Sequence, residues 1–150
     1  YKDKTFKNVS SEDLDLDTAE EKEAIKKENE ENKELLEIMK ETLKDDVQEV
    51  RFTNRLKNHP VCLTTEGGIS IEMEKVINSV PSDQKVKAKI VLEINDLHPI
   101  AQKLKDLYTN DKEELKNYTK ILFATSKLIE GLSVENPTEI SNLICDAISK

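Results

Sequence analysis

The chain has 150 residues, 36% of them charged and 36% hydrophobic, with no Trp, 3 Gly, 4 Pro and a net charge of -8. That length buries one core, and the scarcity of breakers among many Lys, Glu, Leu and Ile favours long helices over a sandwich or barrel. The acidic excess leaves no clustered Lys/Arg surface for nucleic acid, and no apolar run approaches the roughly 20 residues of a membrane helix.

The charge is uneven: residues 1–46 hold 16 acidic and 9 basic side chains, so seven of the eight net negative charges sit there. Residues 1–17 show no sustained period and end in Glu12, Asp13, Asp15 and Asp17, the pattern of a linker. Residues 18–150 then form the folded domain. Thr18 with Glu21 is a capping-box pair, which predicts a helix running to about Lys44. Its first half is polar all round (KKENEENKE) and reads as an arm projecting into water. Its second half carries Leu35, Leu36, Ile38, Met39 and Leu43 as a core stripe.

Val50 and Phe52 alternate with Glu49, Arg51 and Thr53, the period of a half-buried strand. Val61–Leu63 gives a second strand, entered through Pro60, and Lys89–Ile94 a third with Ile90, Leu92 and Ile94 on its inner face. Between them, after Gly67-Gly68, Ile69, Met73, Val76, Ile77 and Val80 share one face of an amphipathic helix, with Ile71 to one side. Its flexible Met and branched apolar residues suit either an ordinary core helix or a surface that accepts varied partners.

Past Pro99, Ile100, Leu104 and Leu107 mark a short helix, and Asp111 with Glu114 caps a longer one to about Glu130. Its stripe of Tyr118, Ile121, Leu122, Thr125, Leu128, Ile129 and Leu132 is wider than one partner helix needs. Asn136-Pro137-Thr138-Glu139 opens a last helix bearing Ile140, Leu143, Ile144, Ala147 and Ile148. The fold class expected is α+β, a small three-stranded sheet packed with helices, a long N-terminal helix and a C-terminal helical hairpin. That hairpin packs on its own domain or on a second copy; its periodicity serves both.

Cys62 and Cys145 lie far apart among apolar neighbours, as free thiols in a reducing compartment do. His59 and His98 each precede a proline and lack a second ligand at metal spacing, and TTEGGIS lacks the Lys and glycine pattern of a phosphate loop. No catalytic, cofactor-binding or metal residue is expected. An acidic adaptor that tethers a partner through the 18–44 helix fits the same composition.

The segments YKDKTFKNVS, VRFTNRL, HPVCLTTE, SIEMEKV, VLEIN and ENPTEI, in this order, closely resemble the C-terminal domain of the ninety-kilodalton heat-shock chaperones in their bacterial HtpG form. The resemblance implies a cytoplasmic, ATP-dependent chaperone that binds unfolded client proteins, with neither nucleic acid nor membrane as partner. It implies a homodimer in which Tyr118, Ile121, Leu122, Thr125, Leu128, Ile129, Leu132, Ile140, Leu143, Ile144, Ala147 and Ile148 build an intermolecular four-helix bundle. It also implies client contact at Ile69, Ile71, Met73, Val76 and Ile77. Residues 1–17 would end the preceding middle domain. ATP and Mg would bind elsewhere in the parent protein, so this segment would be neither an enzyme nor a nucleotide binder. The family often has Gly where Lys44 ends the long helix, and the acidic tail that recruits co-chaperones in eukaryotic members is not found after ICDAISK.

Overall fold

A computed structural model describes residues 19–67, 69–81 and 86–150. The expected linker 1–17 and the Thr18 cap lie outside these residues. The described chain is α+β, with helices α1 (Ala19–Glu31), α2 (Lys33–Leu43), α3 (Ile71–Ser79), α4 (Pro99–Asn110), α5 (Lys112–Ile129) and α6 (Pro137–Ile148). The strands are β1 (Glu49–Thr53), β2 (Val61–Glu66) and β3 (Lys89–Asn95).

The long first helix is divided. Asn32 sits at φ -105°, ψ 17°, and its side-chain amide donates to the Glu28 carbonyl at 2.8 Å, so a side chain competes with the helix ladder at the joint. Nor does α1 project freely as an arm. Its Asn29 donates to the Phe52 carbonyl at 3.1 Å and accepts from the Phe52 amide at 2.8 Å, joining α1 to the open edge of β1. Lys105 of α4 pairs with Glu28 of α1 and, at 3.3 Å, with Asp96 after β3. The polar composition is thus spent partly on docking.

The sheet order is β1-β3-β2, with β1 parallel and β2 antiparallel to the central β3. Val50, Phe52, Val61, Leu63, Leu92 and Ile94 occupy one face and meet Leu35, Leu36, Met39 and Leu43 of α2, Leu104 of α4 and Leu115 and Leu122 of α5 in one core. Being central, β3 is buried on both faces: Val91 and Glu93 are as enclosed as Leu92 and Ile94. A half-buried alternation was therefore the wrong expectation for this strand.

On α5 the inward stripe is Leu115, Thr119, Leu122, Phe123 and Ser126, shifted from the expected one. The Thr119 hydroxyl donates to the Leu115 carbonyl at 2.7 Å and the Ser126 hydroxyl to the Phe123 carbonyl at 2.8 Å, which lets both polar residues enter the core at little cost. The chain's own α2, α4, β2 and α6 surround α5. This corrects the expected bundle. Leu122 belongs to the chain's own core, and Tyr118 and Leu132 pack against it. Leu128, Ile129, Ile144 and Ile148 are exposed, and Ile121, Thr125, Ile140, Leu143 and Ala147 are half-buried.

Candidate client-contact surface

Helix α3 begins where Gly67, at φ +87°, turns the chain out of β2. The Ser70 side chain caps it by accepting from the Met73 amide at 3.1 Å. Two side chains one turn apart tie it down. Glu74 accepts from the Ala88 amide at 2.8 Å, while Asn78 donates to the Val86 carbonyl at 2.8 Å and accepts from its amide at 3.0 Å. Ile71 packs against the core on this side.

Glu74 and Asn78 tie the helix to the segment ahead of β3, and a different stripe faces out. Met73 is 48% exposed, Val76 66% and Val80, just past the helix, 59%. They follow the i, i+3, i+7 spacing of a single helical stripe. Of the five residues expected at a client surface, Met73 and Val76 are therefore outward, whereas Ile69, Ile71 and Ile77 are half-buried. Val80 extends the stripe and was not among the five, although its spacing carried the signal. Among the described residues of α3, none is buried, so this helix contributes surface rather than core.

Beneath lies a polar cluster on the other face of the sheet. Arg51 donates to one Glu93 carboxylate oxygen from its Nε at 3.1 Å and from its terminal nitrogen at 2.6 Å. Glu66 stands 3.8 Å from the same guanidinium. The other Glu93 oxygen accepts from Cys62 Sγ at 3.6 Å. Burial, then the neighbouring Glu93 charge, pushes the Cys62 thiol up to about 12, so it is a protonated donor and a poor nucleophile. Cys145, expected among apolar neighbours, is exposed on α6. The cross-strand register Arg51↔Glu93↔Cys62 assembles the cluster, and no spacing within the sequence reveals it.

The histidines serve the backbone. His98 Nδ1 accepts from the Ile100 amide at 3.2 Å and caps α4, and the His59 carbonyl accepts from Asn95 at 3.1 Å. Among the described residues no group of three His, Cys, Asp or Glu side chains is placed to hold a metal ion. No helix among them is long and apolar enough to cross a membrane.

The family described as Hsp90 protein matches residues 1–150. The chain is 50% identical over 145 residues to the chaperone protein HtpG of Clostridium perfringens strain 13, and equally so to that of Clostridium botulinum strain Langeland. It is 48% identical to the HtpG of Bacillus subtilis strain 168. In each case the match takes in 97% of this chain and 23% of the relative's length. These likenesses correct the expectation of a C-terminal dimerisation domain. What they establish is membership over the whole chain; they do not support the narrower assignment or its intermolecular four-helix bundle. The expectation that this segment is neither an enzyme nor a nucleotide binder depends on that same assignment and has no other support. The chain belongs to the Hsp90 family.

Proposed function

We propose that the chain is a working part of an HtpG-type chaperone and that α3 contacts unfolded clients. The observation that carries this is the outward stripe of Met73, Val76 and Val80 on a helix held from behind by polar ties. A thioether and two branched side chains make a surface that repacks around different apolar segments and selects none sharply. Ile69, Ile71 and Ile77 border the stripe and seat the helix. The test is a photo-activatable cross-linker placed at Val76 or, as a control, at exposed Lys112. Incubated with a permanently unfolded protein, the Val76 derivative forms adducts and the Lys112 derivative does not; equal yields would refute the assignment.

For the longer protein we propose ATP with Mg as the cofactor and the bacterial cytoplasm as the compartment, on the strength of the HtpG likeness. Titration of Mg-ATP into this chain establishes whether any of that binding resides here.

A second reading is favoured by one observation. Leu128 and Ile129 at the end of α5, and Ile144 and Ile148 on α6, expose apolar surface that a second copy of the chain would cover. The mass of the chain in solution decides it: twice the chain mass supports self-association, and a single-chain mass across the micromolar range refutes it.

A further inference from the structure

In a chain with 31 acidic residues, one open groove is lined by lysines. Lys40 and Lys44 at the end of α2 and Lys87 and Lys89 at the entry to β3 border a space of about 590 Å³, with Asp46 as the one carboxylate among its described lining residues. Lys40, Lys44 and Lys89 form no ion pair with a carboxylate among the described residues. Val47, Ala88 and Ile90 line the same groove with apolar side chains, and Gln48 adds an amide. Lys44 itself sits at φ 51°, ψ -122°, a backbone state that favours glycine, so a lysine is kept there against conformational preference.

We infer that this groove docks an extended acidic peptide segment of a partner protein. The space is far larger than one phosphate fills, and its cations are spread over two elements rather than converging on a point. Lysines on flexible stems follow a distributed charge, whereas the planar fork of arginine suits bidentate phosphate. An extended segment with acids at alternate positions turns its carboxylates to one side and its apolar residues to the other, which matches a lysine rim beside half-buried Ile90. The lysines also steer an acidic partner toward a spot on an otherwise repulsive surface.

The probe is a dye-labelled peptide of alternating Asp and Leu, followed by fluorescence anisotropy at low and at physiological salt. The chain binds it, more weakly as salt rises, and a matching Asn-Leu peptide binds at least tenfold more weakly. Lys40→Gln with Lys89→Gln weakens binding about tenfold or more with the thermal melt unchanged; should half-buried Lys40 prove necessary for folding, exposed Lys44→Gln with Lys89→Gln replaces it. Lys57→Gln with Lys103→Gln, at the opposite end of the sheet, retains wild-type affinity. The inference is overturned if the wild-type chain does not bind, if the groove variants bind as wild type does, if the neutral peptide binds equally, or if single-stranded nucleic acid binds more tightly than the peptide.

Discussion

Asn29 on α1 and Phe52 on β1 exchange a reciprocal pair of hydrogen bonds, 3.1 Å from the Asn amide to the Phe carbonyl and 2.8 Å from the Phe amide to the Asn oxygen. One side chain thereby completes the edge of a sheet and fixes a helix that has no buried residue of its own. Asn29→Ala leaves both backbone groups of Phe52 without their partner. We expect a loss of about 1–3 kcal/mol in urea unfolding and faster hydrogen exchange at the Phe52 amide and along α1. Unchanged exchange over residues 19–31 would show that α1 is held by other contacts.

Glu93 is 2% exposed on the central strand and depends on Arg51 to balance its charge. Arg51→Ala strands that carboxylate and costs about 3–5 kcal/mol, whereas Arg51→Leu with Glu93→Leu recovers much of the loss by exchanging an ion pair for apolar packing. A urea titration of both variants checks the order. A single variant as stable as the wild type would mean that Glu66 and solvent carry the pair without Arg51.

The Cys62 thiol gives a pH signature. In the folded chain burial and Glu93 hold it at about 12, against an ordinary value of 9.0. Between those values the folded state keeps a proton that the unfolded state releases. Stability associated with this thiol is therefore complete below about 9 and declines as pH rises toward 12. Cys62→Ala removes that component of the slope. In alkylation at pH 8 exposed Cys145 reacts first, and Cys62 reacts at an appreciable rate only on unfolding; equal labelling of the two would contradict the assignment.

Lys44 occupies its positive-φ position at a conformational cost, and removing the side chain's Cβ relieves it. Lys44→Gly raises stability by about 1 kcal/mol, read as a higher melting temperature, because strain at a positive φ outweighs the added freedom of the unfolded chain. The same variant removes one cation from the groove and weakens capture of the acidic peptide. A lower melting temperature would place the stabilising role in the lysine stem.

Much of the fold was legible where one partner sufficed to explain a pattern. The α2 stripe, the Asp111 cap of α5 and the burial of Val50 and Phe52 on β1 all depend on neighbours in sequence and stand as expected, whereas Thr53 is buried against its alternation. The errors fall where a polar side chain bonds a backbone group instead of water. Asn32 divides a helix through its own side chain, and Asn29 docks an arm that composition placed in water. Thr119 and Ser126 enter the core because their hydroxyls turn back onto helix carbonyls, displacing Leu128 and Ile129 outward. Within the candidate surface, Met73 and Val76 were legible as a stripe. The choice between Ile77 and Val80 required knowing that Glu74 and Asn78 reach the segment ahead of β3.

The outward stripe of α3 is tested most directly by the affinity of Met73→Ser with Val76→Ser for a permanently unfolded protein, measured alongside its thermal melt. Both positions face solvent, so the melt stays cooperative and within a few degrees of wild type, while client affinity falls about tenfold or more. Undiminished client affinity would contradict the account, and a lost cooperative melt would show that the helix face belongs to the core.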